Sequence, residues 1–237
     1  MGILPIGMPP APRPLDEAQR LRILREYDII DSPPEEAYDE LVALASYICD
    51  TPIALVTLVD DERQWFKARR GLAMSETSRD IAFCAYAILG ADTLVVNDAL
   101  ADPRFAGNPL VTNGPQVRFY AGAPLITATG YELGTLCVMD QRPRTLTSEQ
   151  VQALEILART VVTNLELRRL AVQLADALGR ADTLTGLLPI CAHCKRIRDD
   201  RDYWHEVESY TRALPAAEFS HSMCPDCLAK LHPEIHE

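Results

Sequence analysis

Val117-Arg-Phe-Tyr-Ala-Gly-Ala-Pro-Leu-Ile-Thr127 and Glu132-Leu-Gly-Thr-Leu-Cys-Val-Met-Asp140 are two largely apolar runs on either side of Ala128-Thr129-Gly130-Tyr131. Runs of this length bounded by turn residues read as paired strands, and Gly134 lets a neighbouring backbone come close to the second of them. Upstream, Ile53-Ala-Leu-Val-Thr-Leu-Val59 carries the same signal. Asp60-Asp-Glu-Arg63 then turns into Gln64-Trp-Phe-Lys-Ala-Arg69, so these two make a hairpin. Thr93 to Val96 adds a short strand and Ile81 to Leu89 a short apolar helix. Asn97 to Pro115 is rich in Asn, Asp, Pro and Gly and reads as a long loop; loops of that length inside a compact domain are often functional.

Helices flank these strands. Leu15 to Tyr27 places Leu15, Leu21 and Leu24 at helical spacing. Ser32 as N-cap and Pro33 in the first turn open a second helix to Cys49, burying Leu41, Leu44, Ala45 and Ile48. From Thr147 to Leu178 the pattern is again helical, opened either by Ser148 and Glu149 or by Thr147 as cap with Gln150 at the capping-box position. Its first half carries a core-facing stripe, Val151, Leu154, Leu157 and Val161. Its second half spaces Leu167, Leu170, Leu174 and Ala177 three and four apart, the seam of a short coiled coil that predicts a homodimer. Residues 1–14 read as a flexible tail, 15–150 as the main domain, 151–180 as the long helix and 181–237 as a small module.

That module contains Cys191-Ala-His-Cys194 and Cys224-Pro-Asp-Cys227, separated by 29 residues. Two Cys-x-x-Cys turns complete the tetrahedron that Zn2+ accepts, with His221 as an alternative ligand. Four thiolates close the coordination shell, so the zinc is expected to be structural, with Tyr203, Trp204, Val207, Tyr210 and Phe219 as its small apolar cluster.

Net charge is −11 over 237 residues, and the 181–237 segment carries six Lys/Arg against ten Asp/Glu. No basic face is concentrated anywhere, so no nucleic-acid partner is expected. No apolar run approaches the ~20 residues of a membrane span, and Met1 to Pro14 lacks the basic start of a signal peptide. Cys49, Cys84 and Cys137 are scattered in apolar contexts, which suits a reducing cytoplasm.

Trp65-Phe-Lys-Ala-Arg-Arg-Gly-Leu72, Asp80-Ile-Ala-Phe-Cys-Ala-Tyr-Ala-Ile88, the loop from Val96 to Leu110, Val117 to Leu125 and Gly134 to Asp140 together resemble a common bacterial subfamily of GAF domains over residues 15–170. The resemblance implies an α+β fold: an antiparallel sheet of about six strands, helices on both faces and a ligand pocket over one face. Members usually sit in front of histidine kinase, diguanylate cyclase or phosphodiesterase domains. Asp182-Thr-Leu-Thr-Gly-Leu187 resembles the link that leads into a diguanylate cyclase, and the cysteine module resembles one found at the ends of bacterial sensor proteins.

All five histidines, His193, His205, His221, His232 and His236, follow the GAF-like region, so neither haem nor bilin is expected in the pocket. Candidate contacts to an unknown small ligand are Trp65, Phe66, Cys84, Asp98, Arg104, Arg118, Phe119 and Tyr120. Arginine and aromatic chemistry would suit an anionic or planar molecule. Cys84 lies near a helix start, where a thiol can be activated, or it is simply a buried helix residue. No catalytic constellation is complete, so the chain is expected not to be an enzyme. The expected role is cytoplasmic signal transduction: a GAF sensor coupled through a dimeric helix to a zinc module that docks a protein partner. A thiol-dependent enzyme, or a redox sensor that releases zinc on oxidation, is the alternative.

Overall fold

A computed structural model of the chain describes residues 11–185, 188–198, 204–205 and 219–231. Most of the expected tail, Tyr203, Val207 and Tyr210 lie outside the described residues, as do the side chains of Phe219 and His221. The chain divides between Leu170 and Ala171 into two compact units.

In the first unit, α1 (Glu17–Glu26) and α2 (Glu36–Cys49) precede the hairpin β1 (Ile53–Val59) and β2 (Arg63–Arg70). A short edge strand β3 (Glu76–Ser78), a 3-10 turn (Arg79–Ile81), α3 (Cys84–Ala87), β4 (Leu94–Val96) and α4 (Pro109–Thr112) follow. The hairpin β5 (Phe119–Ile126) and β6 (Glu132–Asp140) leads into α5 (Ser148–Thr185). Six strands form one antiparallel sheet in the order β3-β2-β1-β6-β5-β4.

Every residue of β1 is buried, because both faces of the sheet are covered and an alternating pattern has no polar side to show. Ala54, Val56 and Leu58 face a core shared with α1, α2 and the first half of α5. Ile53, Leu55 and Val59 face a second core with Phe66, Phe83, Phe105, Tyr120 and Cys137, under α3 and the long loop. A capping box opens α5: Thr147 N–H donates to Gln150 Oε1 (3.0 Å) and Gln150 N–H to Thr147 Oγ1 (3.3 Å).

The structure revises three details. The Ile81–Leu89 helix is interrupted into the 3-10 turn and the four-residue α3. On α2, Leu44 is exposed while Tyr38, Val42, Ala45 and Cys49 are buried. The helix also starts at Glu36 rather than Pro33. Ser32 precedes Pro33 and Pro33 precedes Pro34, and a residue before proline is biased away from helix. The freed segment serves Lys67 of β2 instead. Its fully buried ammonium donates to Ser32 Oγ (2.8 Å), the Pro33 carbonyl (2.6 Å) and Glu35 Oε1 (2.6 Å). Three donors meet three acceptors, which is what a buried ammonium requires. Arg168 of α5 donates to the same Glu35 oxygen (3.1 Å) and to the Tyr27 and Asp28 carbonyls.

A second buried charge cluster joins α1 to the sheet. Glu17 takes Arg20 and Arg79 together, and Arg20 also donates to the Val59 carbonyl (2.7 Å). Burial would raise the Glu17 carboxyl, but the two guanidiniums outweigh it and hold it down at about 2.

Gly134 lies where β6 crosses β1, and a Cβ there would stand 1.9 Å from the Thr57 carbonyl oxygen. Gly134→Ala therefore overpacks backbone that cannot step aside. The expected loss is about 1–3 kcal/mol or more, read as a lower urea midpoint with an unchanged m value.

Candidate functional site

The second core is where a ligand pocket would lie, and it is nearly closed. The space between Phe66, Cys84, Tyr120 and Met139 amounts to about 20 Å³, close to the minimum for one water molecule. Aromatic rings fill the rest. Phe83 stacks on Phe105 (centroids 4.2 Å apart, 13° between planes) and on Tyr120 (5.1 Å), and Tyr86 meets Phe105 edge-on (4.9 Å). The plug is thus built from the α3 region, the long loop and β5. Two polar atoms at its margin, Gln64 Oε1 and Thr77 Oγ1, are buried without partners. They are what an entering ligand would satisfy, since an unpaired buried acceptor carries a free-energy cost of about 1–3 kcal/mol.

Of the residues proposed from sequence, Phe66, Cys84 and Tyr120 line this cavity. Trp65 and Phe119 sit in the helix-side core, because neighbouring strand residues point to opposite faces. Asp98, Arg104 and Arg118 are engaged within the long loop and its base. Arg118 grips Asp98 through two bonds (2.8 and 2.7 Å), and Arg104 pairs with Asp102 (2.6 Å) while lying over the Phe105 ring. Arg118 pulls the Asp98 carboxyl below its ordinary range, and Arg104 does the same to Asp102. The Arg118–Asp98 pair holds the loop against the start of β5, where Ala99 N–H also donates to the Arg118 carbonyl (2.6 Å). Sequence reasoning passed over Gln64, Thr77, Phe83, Phe105, Thr135 and Cys137. The readable signal was polar residues inside apolar strand runs: Gln64 beside Trp65, and Thr57 and Thr135 at paired positions of β1 and β6.

Cys84 occupies a polar nook within this core. Its Sγ accepts from Thr135 Oγ1 (3.0 Å) and Tyr120 Oη (3.3 Å), with Cys137 Sγ at 3.9 Å. The Tyr120 ring lies along its own strand over Gly122, where a Cβ would stand 2.1 Å from the hydroxyl. Burial would raise the Cys84 thiol, but bonds from Cys137, Thr135, Thr57 and Tyr120 outweigh it and draw it below its ordinary value. Cys137 and Tyr120 move the other way, raised by burial and by Cys84. Cys49, packed among apolar neighbours, is pushed up to about 11 by burial alone.

The second unit contains a four-stranded sheet, β10-β7-β8-β9, made of β7 (Leu188–Cys191), β8 (Ile197–Arg198), β9 (Trp204–His205) and β10 (Phe219–Ser222), followed by α6 (Pro225–Leu231). Cys191 ends β7, and Cys224 and Cys227 flank the start of α6. The sulfurs of Cys191, Cys194, Cys224 and Cys227 all lie within 4.8 Å of one another. Those of Cys194 and Cys224 are 3.5 Å apart, near the ~3.8 Å edge of a tetrahedron with ~2.3 Å zinc–sulfur bonds. Cys224 N–H donates to Cys191 Sγ (3.2 Å), and Lys195, at φ 62°, closes the first turn by donating to the Cys191 carbonyl (2.9 Å). Arg196 bonds Asp226 (3.0 Å) and so ties the two turns together. The donor set and its spacing fit a metal ion of zinc type.

A family model described as the GAF domain matches residues 33–165. The chain belongs to the GAF domain family. A cyclic di-GMP phosphodiesterase of Pseudomonas aeruginosa is 44% identical over 159 residues, which is 67% of this chain and 27% of that one. This GAF chain therefore spans only about a quarter of that relative's length. Among solved structures, the GAF domain of an Acinetobacter phosphoenolpyruvate-protein phosphotransferase is 16% identical with a TM-score of 0.48, covering 63% of this chain and 92% of that one. The blue-light absorbing form of the Thermosynechococcus elongatus PixJ GAF domain is 16% identical with a TM-score of 0.48, covering 68% and 96%.

The Pseudomonas relative corrects one expectation, that the chain is not an enzyme: a match at 44% identity lies within a protein named for phosphodiesterase activity. Among the described residues, no helix is long and apolar enough to cross a membrane.

Phe105 is the central ring of the plug. Phe105→Ala should destabilise the domain by about 3–5 kcal/mol and open a cavity that takes up small aromatic molecules. Unfolding curves with and without added indole would show the loss and its partial recovery.

Proposed function

We propose that this chain is the sensory and coupling part of a cyclic di-GMP signalling system. In this reading the GAF pocket receives a small molecule, α5 carries the change out of the domain, and the four-cysteine module docks a protein partner. The observation that carries the reading is the change of character along α5. Leu154, Ala158, Val161 and Leu165 are buried in the GAF core, whereas Leu167, Leu170 and Leu174 are 59%, 54% and 61% exposed on the same continuous helix. A row of exposed leucines at seam spacing suits pairing with a second copy of the chain. One helix therefore reads the domain's packing at one end and sets the dimer's geometry at the other. The phosphodiesterase relative supports cyclic di-GMP turnover as the process served.

Ligand entry requires the aromatic plug to part, since typical ligand pockets are ~300–1,000 Å³ and this one is about 20 Å³. Gln64 and Thr77 then offer hydrogen bonds, and the rings offer flat stacking surfaces, which favours a planar ligand with polar edges. The four cysteines hold structural zinc, closing a unit whose own core is small. None of the seven cysteines is in a disulfide, which suits action in the cytoplasm.

Leu170→Glu should convert a dimer to a monomer without unfolding the GAF domain, as measured by sedimentation velocity. A monomeric parent chain would refute the seam. The purified parent should carry one zinc per chain by elemental analysis, and Cys191→Ser together with Cys224→Ser should carry none; zinc-free parent protein that keeps its second unit folded would sink the structural-zinc reading.

A further inference from the structure

Cys84 lines the pocket with Cys137 beside it, and neither belongs to the metal site, yet their surroundings are chemically specific. A buried cysteine ordinarily packs as a small hydrophobe, as Cys49 does. Cys84 instead sits where donors converge from two strands. Tyr120 of β5 and Thr135 of β6 both direct hydroxyls at its sulfur. Thr57 of β1 lies 3.2 Å from Thr135 Oγ1 and can donate to it, extending the relay into the next strand. A neutral thiol is a weak acceptor with one proton to give, whereas a thiolate buried in an apolar core needs such a shell. The second thiol, Cys137, is fully buried at 3.9 Å. The cavity beside Cys84 has room for one water-sized molecule.

We propose that Cys84 and Cys137 form a peroxide-reactive dithiol, with Cys84 as the oxidised centre and Cys137 as the resolving thiol. Hydrogen peroxide is about the size of molecule the cavity admits. The Cys84 thiolate attacks one peroxide oxygen, the O–O bond breaks, and Cys84 becomes a sulfenic acid as hydroxide leaves. Cys137 sulfur then attacks Cys84 sulfur. The S–S bond forms, the S–O bond breaks, and the Cys137 proton departs with the leaving oxygen as water. The two thiols lose two electrons in all, and peroxide is reduced to water and hydroxide. Closing the sulfurs from 3.9 Å to the ~2.0 Å of a disulfide draws α3 toward β6. Phe83 and Tyr86, which belong to the plug, must move with it. Peroxide would thereby act on the pocket independently of any ligand.

The test treats the full chain with stoichiometric hydrogen peroxide, alkylates the remaining thiols under denaturing conditions and maps the peptides. The expected product is one crosslinked pair joining the peptides of Cys84 and Cys137. In Cys137→Ser the reaction should stop at a Cys84 sulfenic acid trapped by dimedone. In Tyr120→Phe, which keeps the ring and loses one donor, Cys84 oxidation should slow several-fold. Recovery of both cysteines as alkylated thiols, after a dose that oxidises the four metal-site cysteines, would overturn the proposal. So would a crosslink elsewhere with Cys84 untouched, or an unchanged rate in Tyr120→Phe. Because peptide mapping of the unmodified sequence gives the main result, the proposal does not depend on either variant folding, and it stands or falls apart from the cyclic di-GMP reading.

Discussion

A central sheet covered on both faces is the constraint on which the first unit depends. Because β1 is buried along its whole length, residue parity assigns each side chain to one of two separate cores. Phe66 therefore joins the aromatic pocket while its neighbour Lys67 crosses to the helix side and must be solvated there by Ser32, Pro33 and Glu35. The same rule separates Tyr120, which reaches Cys84, from Phe119, which packs under the helices. One face is an inert foundation for α1, α2 and α5. The other holds the groups with chemical options.

The strands and long helices were legible in the sequence because they carry strong periodic signals. The β5–β6 hairpin, the β1–β2 hairpin and the Thr147–Gln150 cap are all local patterns. What escaped was set by distant partners. The buried lysine that claims Ser32, Pro33 and Glu35 lies more than thirty positions downstream, and β3 is a three-residue polar strand that exists only because β2 offers an edge. The candidate site was legible in part. Phe66, Cys84 and Tyr120 could be named from their motifs, but Trp65 and Phe119 share those motifs and face away. The arginine–aspartate pairs of the loop looked like ligand contacts because a sequence shows charges without showing what already occupies them. Cys137 was hidden by an apolar strand whose composition says nothing of the thiol opposite. The cysteine quartet was the clearest local signal of all, since spacing alone brings each pair to a turn.

The two units use sulfur in different ways. Around Cys191 and its three companions, backbone N–H groups and Arg196 surround a cluster suited to a cation. Around Cys84, two hydroxyls inside an apolar core donate to one sulfur. The first arrangement is a donor set for a metal ion; the second places one sulfur beside a small cavity.

The shared oxygen of Glu35 has a mechanical meaning. It accepts Lys67 and Arg168 at once, so strand β2 and helix α5 are clients of one carboxylate. Any rotation of α5 that withdraws Arg168 leaves Glu35 to Lys67 alone, and any slip of β2 does the reverse. The carboxylate thereby couples the position of α5 to that of the strand that carries Phe66 into the pocket.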